Sequence, residues 1–363
     1  MSRIILENVT ARFGNTTAVD NLSLEIPDAS FFGLLGPSGC GKTTTMRLIA
    51  GLEKPVSGRI IIGERVVNDC SKNIHVPPSQ RKLGMVFQNY ALWPHMTVKD
   101  NILFGLKVRH VKESERNVRY QHVMSRLQIE ELGERFPNEL SGGQQQRIAL
   151  ARELIAGSSV LLMDEPLSNL DAKLRVDMRV ELKQLHKETG GTIIYVTHDQ
   201  IEALTLSSMM TVMREGVLQQ VAPPNEVFTR PANYFVASFM ASAPVNRLRV
   251  RMQDGFLIGE GIRLPAPAAV QPTESRDLFA VARPEEIRIA EEPNEWSITG
   301  TISSILPMGY AQLVRIEVSD AQHLIAEHDQ RTSTLELGSQ VHACFDPKTL
   351  HIFDAETEER VGI

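Results

Sequence analysis

The sequence predicts an α/β domain built on a parallel sheet with a phosphate-binding loop, followed by a smaller all-β domain. Three features lead there. An apolar run, Ser30 to Leu35, breaks into a glycine-rich turn and resumes with helical spacing through Ala50. Two further short apolar runs, Val160–Pro166 and Thr192–Asp199, alternate with helical periodicity, as strands buried on both faces do. After Asn233 the pattern changes to short alternating strands such as Leu313–Val318, separated by glycine and proline turns.

The first feature is the most specific. GPSGCGKT places Gly36, Gly41, Lys42 and Thr43 on the G-x-x-x-x-G-K-[ST] template of P-loop NTPases. Residues Gly36, Pro37, Ser38, Gly39, Cys40 and Gly41 wrap the phosphates, and Lys42, Thr43 and Thr44 open the helix. Glycine lets successive N–H groups turn inward around phosphate oxygens, and the helix N-terminus adds partial positive charge. Lys42 then reaches the β- and γ-phosphates, and the Thr43 hydroxyl ligates Mg²⁺. Cys40 has two readings, a small space-filler or a thiol open to modification.

At 363 residues, with 42% hydrophobic and 23% charged residues, the chain has the size and composition of two or three globular domains. No apolar run approaches the ~18–20 residues of a membrane span, and MSRIILENVT lacks a signal peptide's basic start and apolar stretch, so cytosolic residence is expected. Three widely spaced cysteines suggest neither disulfides nor a metal site. A net charge of −6 and a pI near 6.0 leave no electrostatic footprint for nucleic acid.

In chain order, Ile4–Phe13 and Asn21–Ile26 read as strands joined by a polar turn. Phe13, at a strand end upstream of the phosphate loop, is either an adenine-stacking platform or a core residue. Gly51 caps the first helix, a strand follows at Arg59–Ile62, and Asn68–Arg81 reads as loop. The strand Leu83–Phe87 ends in Gln88, which can coordinate Mg²⁺ or hold a water. Periodicity is helical across about 89–157, an insertion whose first part exposes Tyr90, Trp93 and Pro94 as either local core or contact patch.

In LSGGQ, Ser141 and Gln144 have capping-box spacing, while Gly142 and Gly143 leave the helix N-terminus open to an anion. VLLMDEP is a buried strand ending in two carboxylates. Asp164 faces the phosphate loop and binds Mg²⁺; Glu165 is placed to accept a proton from an attacking water. SNLD starts a helix at Asp171, with Leu174, Met178, Leu182 and Leu185 as its apolar stripe. His198, just past the tip of the next strand, is either a hydrogen-bonding core or capping residue or a γ-phosphate sensor.

GPSGCGKT, Gln88, LSGGQ, VLLMDEP, SNLD and THD, in that order and spacing, resemble the nucleotide-binding subunit of an ABC transporter. NYALWPHMTV, THDQIEALTL, VARPEEIRI and FDPKTLHIFD resemble its carbohydrate-importer, maltose-type branch. ASAP at Ala241–Pro244 departs from the Gly-Ser-Pro-Pro more common there. The resemblance implies an ATPase cassette over 1–235 with its helical subdomain at about 89–157. The strand pattern after Asn233 fits a five-stranded barrel, and the resemblance implies an OB/TOBE-like regulatory, dimer-stabilising domain over 236–363.

It further implies ATP and Mg²⁺ as ligands, Phe13 as adenine platform, Thr43, Gln88 and Asp164 around the metal, Glu165 as catalytic base, and His198 on the γ-phosphate. Ser141, Gly142, Gly143, Gln144 and Asp171 act across a dimer interface. The partners implied are a second copy or a paralogous ATPase, two membrane permease subunits docking at Tyr90–Val98, and an extracytoplasmic solute-binding protein, with no nucleic acid. The location implied is the cytoplasmic face of a bacterial inner membrane, peripherally. The cargo is a sugar, polyol, glycerol or glycerol phosphate, with a polyamine or other non-sugar solute as the alternative; a soluble non-transport ABC ATPase is the rival reading.

Overall fold

A computed structural model of the chain describes residues 3–267, 270, 276–319, 322–332 and 334–362. It divides into two compact units, Met1–Pro224 and Asn225–Ile363.

The first unit begins with β1 (Ile4–Phe13), β2 (Thr16–Ile26) and β3 (Phe31–Leu35), then α1 (Lys42–Ala50), β4 (Ser57–Ile62), β5 (Arg65–Asp69), β6 (Ile74–His75) and β7 (Gly84–Val86). Next come the helices α2 (Val98–Val108), α3 (Glu113–Arg126) and α4 (Gly142–Ile155). β8 (Val160–Asp164), α5 (Ala172–Thr189), β9 (Thr192–Thr197), α6 (Gln200–Leu206), β10 (Met209–Arg214) and β11 (Val217–Ala222) complete it. The segment read as loop over Asn68–Arg81 contains the end of β5 and all of β6. Its few polar residues gain strand geometry by pairing with a sheet edge, a long-range effect that local composition does not carry.

One sheet has the order β2-β1-β4-β5-β6 and the other β11-β10-β3-β9-β8-β7. In the second, β10, β3, β9, β8 and β7 pair in parallel. The apolar runs are continuous because alternate residues of each strand enter different cores. Phe31, Leu161, Met163, Ile193 and Tyr195 pack with helices α2 to α5, whereas Phe32, Leu34, Leu162, Ile194 and Val196 pack with α1 and the antiparallel sheet. The carboxyl ends of β3, β7, β8 and β9 lie along one edge of the parallel sheet, so the phosphate loop, Gln88, Asp164–Glu165 and His198 converge there.

The second unit contains α7 (Pro224–Thr229) from Asn225 onward, α8 (Tyr234–Phe239), β12 (Asn246–Gln253), β13 (Phe256–Gly259), β14 (Ile262–Pro265), β15 (Asp277–Ala282), β16 (Ile287–Ala290), β17 (Ser297–Met308), β18 (Ala311–Glu317), β19 (His323–Asp329), β20 (Gln340–Phe345) and β21 (His351–Asp354). The unit is all-β apart from its two short helices, as expected, and among the described residues its strands form two five-stranded sheets, β14-β13-β12-β15-β21 and β16-β20-β17-β18-β19, more strands than a five-stranded barrel holds. Short alternating strands specify one buried face each, but not how many sheets share the core.

The compact units also part earlier than residue 235. Arg283, 1% exposed, stacks 3.9 Å over the Phe228 ring and donates to the Phe228 carbonyl at 2.7 Å, and Tyr234 packs on Phe279 and Phe353. These contacts tie both short helices to the β unit. Among the described residues, no helix is long and apolar enough to cross a membrane.

The β unit also carries a pH-sensitive buried group. His351 is 2% exposed, its Nε2 finds no hydrogen-bond partner among the described residues, and Arg360 approaches its Nδ1 at 3.5 Å. Burial, then the charges of Arg360 and Arg283, hold it down from 6.5 to about 3. The unfolded chain therefore takes up the proton first, and the β unit loses stability as pH falls from 6.5 toward about 3. The expected slope for this one group is about 1.4 kcal/mol per pH unit. Urea unfolding followed by Trp296 fluorescence in a Trp93→Phe background checks it: His351→Phe should flatten the slope, and an unchanged slope would reject the assignment.

Candidate functional site

The phosphate loop is held by two tight approaches. A Cβ on Gly36 would lie 2.4 Å from the Met213 carbonyl oxygen, and one on Gly41, whose φ is +101°, 2.4 Å from that of Ala18. Gly39 differs: its φ is +80° but a Cβ would meet nothing within 4 Å, so it supplies conformation alone. Cys40 fills the loop's interior, 4% exposed, and burial pushes its thiol up. That geometry matches the space-filling reading, since a thiol held protonated is a poor nucleophile.

Lys42 is 4% exposed and turned inward, its Nζ donating at 2.8 Å to the carbonyls of both Gly36 and Pro37. The ammonium thus occupies the concavity of its own loop and has donors to transfer to an incoming anion. A cleft of about 580 Å³ between α3, α4, the end of α5 and the start of β9 is lined by none of residues 36–44, Asp164, Glu165 or His198.

Thr43 Oγ1 donates to Asp164 Oδ1 at 2.9 Å, joining residues 121 apart in sequence. Burial pushes the Asp164 carboxyl up, against the lowering effect of Thr43. Among the described residues no cluster of three histidine, cysteine or acidic side chains forms a metal cage. One carboxylate and one hydroxyl fit Mg²⁺, which takes few protein oxygens and completes its shell with phosphates and water.

Glu165 has φ +44°, uncommon for a residue with a Cβ and a feature that clusters at functional sites. Its N–H donates to the Val196 carbonyl at 3.0 Å, and its own carbonyl accepts from the Ser168 hydroxyl at 2.8 Å. Thus fixed, its Oε2 lies 3.1 Å from His198 Nδ1. His198 is 55% exposed at the side chain, which excludes a core role and leaves it open to a ligand.

Gln88 is exposed and turned elsewhere. Its Nε2 donates to Ser168 Oγ at 3.4 Å and its carbonyl accepts from Asn169 at 3.0 Å, so it contacts the segment after Glu165 rather than Asp164. Phe13 is 49% exposed at the end of β1, which removes the core reading.

Ser141 caps α4 as its spacing predicts: its hydroxyl accepts from the Gln144 N–H at 3.4 Å, and Gln144 Oε1 accepts from the Ser141 N–H at 3.0 Å. The glycines have an additional reason the sequence did not show. A Cβ on Gly143 would lie 2.7 Å from Leu174 Cδ2, and one on Gly142 3.2 Å from Leu170 Cδ2. Asp171 caps α5, accepting from the Leu174 N–H at 2.9 Å. Among the described residues, no hydrogen bond joins Ser141–Gln144 or Asp171 to the phosphate loop.

The aromatic stretch divides. Tyr90 is core, 4% exposed, whereas Trp93 rests 4.4 Å from Phe104 with Arg152 over its ring, and Pro94 is exposed.

Two arginines went unmarked in the sequence. Arg81, 4% exposed, donates to the carbonyls of Leu48 and Ile49 at the end of α1 and to those of Val67 and Val76. Arg175 links the Leu170 carbonyl to Asp199. Its place one turn after Asp171, with THD-x-x-E downstream, was the available signal.

Comparison with known proteins agrees with this geometry. The ABC transporter family model matches residues 19–168, and the TOBE domain model residues 280–353. The trehalose/maltose import ATP-binding protein MalK of Thermococcus litoralis is 44% identical, over 99% of this chain and 100% of its own. The sn-glycerol-3-phosphate import ATP-binding protein UgpC of Paracoccus denitrificans is 41% identical over 99% of each. Among solved structures, the ATP-binding cassette MJ0796, a dimer bound to ADP and Pi, aligns with TM-score 0.53 and 30% identity over 61% of this chain and 98% of its own. The cbiO1 protein of Clostridium perfringens, part of an ABC transporter complex, gives 0.57 and 29% over 62% and 90%. With relatives aligned from end to end and the phosphate loop, acidic strand end and capped LSGGQ helix in place, the chain belongs to the ABC transporter family as an ATP-binding subunit.

Proposed function

We propose that this chain hydrolyses ATP to drive an importer of a carbohydrate or a related small solute such as glycerol phosphate. The observation that carries the proposal is the convergence on one sheet edge of Lys42, the Thr43–Asp164 pair and the Glu165–His198 pair. The solute class follows the relatives, which import trehalose and maltose or sn-glycerol-3-phosphate.

In this reading the loop amides and Lys42 bind the β- and γ-phosphates, Phe13 stacks on the adenine, and Thr43 and Asp164 would hold Mg²⁺, with Gln88 joining them only by leaving its contact with Ser168. When bound there, Mg²⁺ neutralises charge on the phosphate oxygens. Glu165 accepts the proton of the attacking water, and His198 orients that carboxylate while facing the γ-phosphate. Two copies, or this chain and a paralogue, close so that Ser141 to Gln144 and Asp171 of each complete the other's site. Swinging such a closure from 1:99 to 99:1 takes roughly 5.5 kcal/mol of differential ATP binding. Two membrane subunits receive the motion at Tyr90–Val98, with an extracytoplasmic binding protein delivering solute. The ATPase domain spans the first compact unit, Met1–Pro224, and the chain is peripheral to the cytoplasmic face of the membrane.

The test is ATPase activity of the purified chain, with size-exclusion chromatography of Glu165→Gln in saturating Mg-ATP. Turnover by wild type and an ATP-dependent dimer of the variant are expected; absence of both would sink the proposal. Phe13→Ala supplies an independent check. Stacking worth about 1–3 kcal/mol means the Kd for ATP should rise by about 5- to 150-fold, with kcat nearly unchanged. An unchanged Kd removes Phe13 from the site.

A further inference from the structure

The His198 segment has little of its own to hold it. His198 is exposed, and the residues on either side of it are fixed by a buried cluster. Thr197 Oγ1 donates to Glu202 Oε2 at 2.7 Å and accepts from the Asp199 N–H at 3.0 Å. Asp199 Oδ1 caps α6 by accepting from the Glu202 N–H at 3.0 Å. Glu202 is 3% exposed and also accepts from the Tyr195 hydroxyl at 2.9 Å.

One cation reaches this cluster from another element. Arg175, in the first turns of α5, pairs with Asp199 Oδ2 at 3.5 Å and, through the same guanidinium, donates to the Leu170 carbonyl at 3.2 Å. Leu170 immediately precedes Asp171, the cap of α5. The third face of the guanidinium is unfinished. Arg175 Nε is buried without a hydrogen bond among the described residues and stands 3.9 Å from Glu202 Oε1. A shift of less than about 1 Å would turn that approach into a charge-assisted hydrogen bond. The guanidinium therefore has one buried donor left over, facing a buried carboxylate.

We infer that Arg175 is a positioning residue: it links the Leu170–Asp171 segment to Asp199 and Glu202, so that engagement of Asp171 by a second copy sets the placement of His198 beside Glu165. The inference rests on the reading of Asp171 and His198 given above. Arginine suits the place because its forked donors address a carbonyl and two carboxylates at once, which lysine cannot do.

The experiment uses the full chain: wild type, Arg175→Gln, Arg175→Lys, Asp199→Asn and the Arg175→Gln/Asp199→Asn double variant. Steady-state ATPase, the Kd for ATP and ATP-dependent dimerisation in a Glu165→Gln background are measured for each. Arg175→Gln should lower kcat by about 10- to 100-fold, the scale of a small misplacement at a reacting centre, with the Kd within about twofold and the dimer retained. Arg175→Lys should fall between it and wild type. Asp199→Asn keeps the helix cap, asparagine being as good there as aspartate, yet should lose kcat comparably. In the double variant the losses should not add.

Equal loss of kcat and of ATP affinity, loss of the dimer, or additive losses would show a merely structural arginine and overturn the inference. If Arg175→Gln does not fold, Asp199→Asn decides, a wild-type rate counting against. Wild-type ATPase with an unchanged Arg175→Gln rate overturns the inference alone; no ATPase in the wild type overturns the proposed function and the inference together.

Discussion

Replacing Glu165 with Gln is expected to lower kcat for ATP hydrolysis by about 10²–10⁴-fold, the usual contribution of a general base. The Kd for ATP should stay within about twofold, because phosphate binding falls to Lys42, Thr43 and the loop amides. The substitution is nearly isosteric, and the backbone that places residue 165 is fixed independently by the Val196 carbonyl and the Ser168 hydroxyl. Glutamine keeps an acceptor oxygen for His198, so the geometry persists while the proton acceptor is lost. Steady-state kinetics with equilibrium ATP titration checks this. Full-rate hydrolysis by the variant would move the base elsewhere, and a large loss of affinity would place Glu165 among the binding residues.

The second large effect is one of stability, far in sequence from any motif. Arg81→Met should destabilise the first unit by about 3–5 kcal/mol, the range seen when a buried charged group's partners are left behind. Its guanidinium serves three buried carbonyls and the half-buried one of Val76, two of the four at the C-terminus of α1, where the helix dipole places partial negative charge. Burial, with Arg65 nearby, pushes Arg81 down from 12.5 to about 10, so it stays charged across the physiological range. Methionine fills comparable volume yet donates nothing, and those carbonyls lose their partner. For a unit of this size the melting temperature should fall by roughly 6–20 °C. Calorimetry of the two proteins decides, and a drop within about 2 °C would mean that water replaces the guanidinium. Because α1 starts at Lys42, loosening its far end should also weaken ATP binding, a link the same samples can report.

Of these two residues, only Glu165 was legible in the sequence. Glu165 was found because a strand, an acidic pair and a phosphate loop are each local patterns, and a parallel sheet brings strand ends to a common edge. Arg81 closed a stretch read as loop. Nothing within a few residues of it announces that its side chain runs beneath α1, where a Cβ on Gly51 would lie 2.4 Å from Arg81 Nε.

What the sequence determined by itself is the set of features whose physics spans a single turn or strand. The glycine-rich loop between a buried strand and a helix, the Ser141–Gln144 box, the Asp171 cap and the apolar runs of β3, β8 and β9 all follow from backbone conformation, hydrogen-bond reach and side-chain period. Tertiary structure alone decided the contacts that cross elements. It turned Lys42 into its own loop and set Thr43 against Asp164. It packed Gly143 on Leu174 and joined Arg175 to Asp199, and it divided the C-terminal strands between two sheets. Those outcomes depend on which buried donors and acceptors must find partners once the cores are closed, and that requirement appears only after distant segments have been brought together.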